Sequence, residues 1–171
     1  MVIEIDDSGW GDLIGGVVLV LRRAKTDEKY TDEIPSELFK QNEFQYKTYL
    51  RYATQIVLEG LDTLNVSKSE EIHICKGYIF DIAKDTLKEL GYKIKEKKIV
   101  GKTQALAEKT FIESLVKKNI GTYTEIAEMR SFKGFLAWVN CDLVNRERYV
   151  KTGWKNWLKH REEQVEKKKF N

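Results

Sequence analysis

Ile3-Glu4-Ile5-Asp6-Asp7-Ser8-Gly9-Trp10-Gly11-Asp12-Leu13-Ile14-Gly15-Gly16-Val17-Val18-Leu19-Val20 sets the architecture of this chain. An apolar strand over 2–6 runs into two adjacent carboxylates, then a glycine-rich turn, then a second apolar strand over 14–22. The second strand is β-branched and apolar on both faces, which predicts a buried place inside a sheet. Acid at a strand end, beside a turn whose backbone can approach a ligand, is a place to hold a divalent cation against a phosphate. Neighbours on one strand point to opposite faces. Asp6 and Asp7 therefore act together only if the strand ends or twists there, and Ser8-Gly9 supplies such an ending. The competing reading is an acid–glycine turn that closes a hairpin through Asx hydrogen bonds.

Outward from this stretch, residues 28–34 form a short polar strand suited to a sheet edge. Helical spacing over about 44–62 puts Tyr46, Tyr49, Leu50, Ala53, Ile56, Val57 and Leu61 on one stripe. A fourth strand spans 71–75 and ends at Gly77, with His73 on one of its faces. A helix over about 78–90 buries Ile79, Ile82, Ala83, Leu87 and Leu90, and Gly91 stands in the C-cap position. A fifth strand covers roughly 92–100. A helix over about 103–118 follows, with Thr103 as N-cap and Leu106, Ala107, Phe111 and Leu115 inward. Two or three helices are expected over 122–169. The order β-β-β-α-β-α-β-α predicts one mixed sheet with helices on its faces. The expected division is a domain over 1–120 and a helical C-terminal extension over 121–171 packed on it.

Composition narrows the function classes. The 171 residues are 42% hydrophobic and 33% charged, which describes a globular chain. No apolar run reaches the length of a membrane span. The acidic start is unlike a signal peptide, so a cytoplasmic location is expected. Cys75 and Cys141 have no metal-ligand or disulfide spacing and are expected as reduced, interior thiols. Abundant Lys and Glu with little Cys or Met accords with a thermophile. From Lys151 onward seven Lys or Arg stand against three Glu. That asymmetry permits contact with nucleic acid. Trp154 and Trp157 among Lys151, Lys155, Lys159 and Arg161 could stack bases. They equally fit a helix whose tryptophans pack on the domain. Glu43, Glu59 and the pair Asp81 and Asp85 read as solvated or dipole-compensating acids. Gly101-Lys102-Thr103 lacks the earlier glycine of a phosphate-binding loop.

The element order, with acid on the first strand, resembles the ribonuclease H-like superfamily. The nearest local match is to type 2 ribonucleases H, which open with a strand ending in Asp-Glu-Ala-Gly-Arg-Gly. Asp6-Asp7-Ser8-Gly9-Trp10-Gly11 stands in that place, and Leu13 to Val18 continues the similarity. The likeness in element order covers residues 1–118, the motif about fifteen. The resemblance implies Mg²⁺ or Mn²⁺ held by carboxylates and hydrolysis of phosphodiester bonds in RNA, an RNA–DNA hybrid or structured DNA. It implies Asp6 and Asp7 as metal ligands and Glu108 or Glu113 as a further acid, Glu108 being the one chosen. Gly9, Trp10 and Gly11 would shape the substrate contact, and Lys76 would meet a phosphate.

The chain also departs from the pattern. The fourth family strand ends in Asp-Gly, where this sequence has Lys76-Gly77 after Cys75. The last family acid aligns near Lys118, and the arginine of the glycine turn is Trp10. Asn42-Glu43-Phe44 is faintly similar to the type 1 signature at the first helix. Lys76 could place its ammonium where a metal would sit. Alternatively, the chain keeps the fold as an inactive domain that binds nucleic acid or protein. The oligomeric state is not legible.

Overall fold

The glycine-rich turn joins two strands, as its composition requires. In the computed structural model, which describes residues 1–170, β1 (Val2–Ser8), β2 (Val17–Arg23) and β3 (Lys29–Ile34) form an antiparallel meander. β4 (Glu71–Ile74) lies parallel to β1 on its other side, and β5 (Lys93–Glu96) lies parallel to β4. The sheet order is β3-β2-β1-β4-β5. The helices are α1 (Gln41–Phe44), α2 (Thr48–Thr63), α3 (Asp81–Glu89), α4 (Lys102–Lys117), α5 (Tyr123–Met129), α6 (Phe132–Cys141), α7 (Leu143–Arg146) and α8 (Lys155–Lys169). This is an α/β fold with a mixed five-stranded sheet flanked by helices, the class expected from the element order.

Side-chain alternation explains the layers. Ile3 and Ile5 of β1, with Ile72 and Ile74 of β4, meet α2 and α3 through Ala53, Ile56, Val57, Ala83 and Leu87. On the opposite face Val18 joins Leu13, Ile14, Phe111 and Leu115. Ile126, Phe135, Val139, Val150 and Trp157, from the later part of the chain, complete that second core. Every residue of β2 is buried, as its two apolar faces predicted.

Several expectations shift for local reasons. Lys47 has a positive φ of 53°, so the helix begins at Thr48 and Tyr46 stands in solvent rather than on the stripe. Ile82 and Leu90 are exposed because α3 packs through the narrower line of Ala83 and Leu87. Thr103 does not cap α4, whose N-cap is Gly101. Its buried hydroxyl instead donates to Glu4 and accepts from Arg22 Nε at 2.8 Å. Gly91 does end α3 with φ 81°, and its N–H donates to the Lys88 carbonyl. Cys141 is exposed and Cys75 half-buried, and both are free thiols. Among the described residues no helix is long and apolar enough to cross a membrane.

Candidate metal centre

β1 continues through both acids to Ser8, so Asp6 and Asp7 lie at the carboxyl end of a strand rather than beyond it. β4 ends beside them. Its pairing of Ile5 with Ile74 makes Cys75, not Lys76, the lateral neighbour of Asp6, and the Cys75 N–H donates to the Ile5 carbonyl at 3.0 Å. Ligands of open α/β sheets gather beyond such carboxyl ends. Here a crevice of about 400 Å³ opens there. Asp6, Asp7 and Cys75 line it, with Gly9, Trp10, Gly11 and Asp12 of the turn, Glu108 and Gln104 of α4, and Lys98 and Arg130.

A carboxylate oxygen of Asp6, one of Asp7 and the Cys75 sulfur all lie within 4.8 Å of one another. The two acids converge although their side chains leave the strand on opposite sides. Gly77 lies beside them: a Cβ there would make only ordinary contacts, 3.5 Å from Asp7 Oδ1 and 3.9 Å from Cys75 Sγ. The turn itself is closed by backbone, the Asp12 N–H donating to the Gly9 carbonyl at 3.1 Å.

Burial dominates the electrostatics of the trio. Asp6 is 6% exposed, and desolvation lifts its carboxyl above the usual range against the hydrogen bonds of the Asp7 N–H and the Cys75 thiol. The charges of Glu108 and Glu4 push the same way. Asp7 is pushed up to about 7, by burial first and by the Asp6 charge second. Cys75 is pushed up to about 11 by burial, with the charges of Asp6 and Asp7 adding. Among the described residues neither Asp6 nor Asp7 makes an ion pair. Three acidic groups thus share one end of the sheet without an ion pair to a protein cation, and their donor atoms lie close enough together to hold a divalent ion.

Lys76 is the main correction to the sequence reading. Its side chain is exposed and lies outside the crevice, since β4 ends at Ile74 and Cys75 is the residue beside Asp6. The positive charges at the crevice are Lys98 and Arg130, neither of which was singled out from the sequence. Arg130 donates from Nε to Asp12 Oδ1 at 3.2 Å, and from Nη2 to Asp12 Oδ2 at 3.0 Å and Ser8 Oγ at 2.9 Å. Its guanidinium lies 4.6 Å from the centre of the Phe111 ring. No periodicity marks this residue, since it lies in the short link between α5 and α6.

The remaining candidates fall as follows. Glu108 stands exposed on the rim and accepts from Gln104 Nε2 at 3.3 Å. Lys118 sits at the far end of α4 and pairs with Glu33 at 2.7 Å, so the position aligned with the last family acid is remote from the crevice. Glu113 lines a different hollow, between β3 and α4. Gly9 has φ 103°, and a Cβ there would meet Phe111 at 2.5 Å and the Gly16 carbonyl at 2.8 Å. Gly11 has open space beside it. Trp10 lines the crevice with part of its surface while its indole packs against Phe39, Tyr49, Tyr78 and Trp154. Asn42 and Glu43 lie outside the crevice, and Asp81 pairs with Lys84.

The basic tail is not an open cationic surface throughout. Trp157 is buried and Trp154 belongs to the aromatic group around Trp10. Lys151, read as part of the interleaved basic set, is fully buried and donates to the carbonyls of Asp12 at 2.8 Å and Ile14 at 3.1 Å. Burial pushes its amine down to about 7.

No family model and no curated protein matches the chain. Among solved structures the chain is similar to the catalytic core domain of BIV integrase, at 11% identity over 81% of each chain with a TM-score of 0.38. The class of fold stands on the order and directions of the strands described above.

Proposed function

We propose that this chain is a metal-dependent nuclease that hydrolyses phosphodiester bonds in RNA, an RNA–DNA hybrid or structured DNA, with its site at the Asp6–Asp7 crevice. The observation that carries this reading is the convergence of Asp6, Asp7 and Cys75 at the carboxyl ends of β1 and β4, without a protein cation between them. The similarity of Asp6-Asp7-Ser8-Gly9-Trp10-Gly11 to the opening of type 2 ribonucleases H supports the same reading. A divalent cation, Mg²⁺ or Mn²⁺ in the family pattern, supplies Lewis acidity toward water and a phosphoryl oxygen when bound. Asp6 and Asp7 would hold it. Arg130 spends Nε and Nη2 on Asp12 and Ser8, which leaves Nη1 to donate to a phosphate oxygen. Lys98 adds charge on the same rim. Glu108, exposed beside the acids, takes the proton released by the attacking water. Gly11 leaves its side of the turn free for a nucleotide.

The test is cleavage of labelled RNA, hybrid and branched DNA by the full chain with Mg²⁺ or Mn²⁺. Activity is expected to vanish with chelator and in Asp6→Asn and Asp7→Asn, with cooperative thermal unfolding retained. Cleavage indifferent to both variants would overturn the proposal. The thiol in place of a carboxylate favours one other reading, an inactive domain of the same fold. That reading predicts salt-sensitive retention of nucleic acid, unaffected by chelator and without cleavage.

A further inference from the structure

Resting on that reading of the site, the donor set points to a cation that the family pattern does not include. Mg²⁺ takes oxygen ligands and keeps much of its water. Of the three donor atoms that converge here, one is sulfur. Thiolate ligands select Zn²⁺ and similar borderline ions over Mg²⁺. The sulfur is not a loose addition to the acids. The β1–β4 register fixes Cys75 beside Asp6, and the Cys75 N–H donates to the Ile5 carbonyl at 3.0 Å. Asp6, more than nine-tenths buried and lining the crevice, forms no ion pair with a protein cation.

We propose that Asp6, Asp7 and Cys75 form a mixed oxygen–sulfur site for a thiophilic divalent cation of the Zn²⁺ type, with Cys75 as the residue that discriminates against Mg²⁺. On binding, the Sγ–H bond of Cys75 breaks and a sulfur–metal bond forms, with the proton passing to buffer. Zn²⁺ holds thiolate sulfur at about 2.3 Å and carboxylate oxygen at about 2.0–2.2 Å, leaving a fourth position in a tetrahedral set for water or a phosphate oxygen.

Cobalt(II), a spectroscopic substitute for zinc, tests this. The metal-free protein is titrated with Co²⁺ in a Cys141→Ser background, so that Cys75 is the sole thiol. A sulfur-to-cobalt charge-transfer band is expected and should disappear in Cys75→Ser. Competition should show Zn²⁺ displacing Co²⁺, with Mg²⁺ unable to do so. Loss of an outer-shell partner commonly costs about tenfold or more in metal affinity. Cys75→Ser, which removes a direct ligand, should therefore lose at least about that much for Zn²⁺. Cys75→Asp should instead gain affinity for Mg²⁺ and Mn²⁺, measured by calorimetry. Absence of the band, or equal Zn²⁺ affinity in Cys75→Ser, overturns the assignment. The two proposals fail separately. A cobalt–sulfur band without cleavage of any nucleic acid removes the nuclease and keeps the metal site. Mg²⁺-dependent cleavage without the band does the reverse.

Discussion

Replacing Asp7 with asparagine is expected to make the metal-free protein more stable, although it destroys the site. In the folded chain the Asp7 carboxyl is raised from 3.8 to about 7, mainly by burial and then by the Asp6 charge. Between those values the folded state keeps a proton that the unfolded chain has released. Stability therefore falls as pH rises from about 4 to about 7, and stays low above that. A shift of about 3 units is worth about 4 kcal/mol at ~1.4 kcal/mol per unit. Water in the open crevice screens part of it, leaving about 2 kcal/mol as the working figure. Asp7→Asn keeps the shape and removes the charge. Its advantage over the unaltered chain should be near zero at pH 4 and grow to about 2 kcal/mol by pH 7.5. For a domain of this size that is roughly 4–8 °C in Tm. The assay is urea and thermal unfolding at a series of pH values with chelator present. A saturating divalent cation should then stabilise the unaltered chain, while Asp7→Asn gains far less. A difference between the two proteins that does not vary with pH, or that favours the native aspartate at pH 7.5, would refute the assignment of a strained, uncompensated acid pair.

Four further outcomes are expected. Lys151 has its amine lowered from 10.5 to about 7, so stability should rise with pH between about 7 and 10.5, where the unfolded chain holds the extra proton. Lys151→Met should flatten that segment of the stability–pH curve. Gly9→Ala would place a methyl 2.5 Å from Phe111 in a backbone with φ 103°, and should cost about 3 kcal/mol or more by urea unfolding. Arg130→Met should cost about 1–3 kcal/mol, since it leaves the partly buried Asp12 carboxylate without its partner. The same substitution should speed amide exchange across residues 9–12, read by mass spectrometry. Lys76→Ala should leave stability and cation affinity within about 0.5 kcal/mol of the parent, as its side chain is exposed and outside the crevice.

The sheet was legible because its signals are local. Alternation and β-branching marked β1, β2 and β4, and the three- and four-residue spacing of Ala53, Ile56 and Val57 marked α2. The misplaced boundaries have local causes too, such as the left-handed Lys47, which no stripe of apolar residues reveals. Asp6, Asp7 and Glu108, singled out in the sequence, line the crevice, whereas Cys75 beside them carried no such signal. Aligning on Gly77 put Lys76 at the end of β4. The register offered a corrective: Ile5 pairs with Ile74, so the residue beside Asp6 is Cys75. Arg130 and the buried Lys151 left no such trace. They reach the turn from 118 and 139 residues away, a distance over which pattern within a segment carries no information.

Those two long-range grips have a bearing on how the protein is made. The strand that bears the acids is synthesised before its anchors: the loop beside it is held by side chains that follow 118 and 139 residues later. Domains form from the N-terminus as synthesis proceeds. Until position 151 has emerged, the Asp12 and Ile14 carbonyls lack the ammonium that holds them in the folded chain.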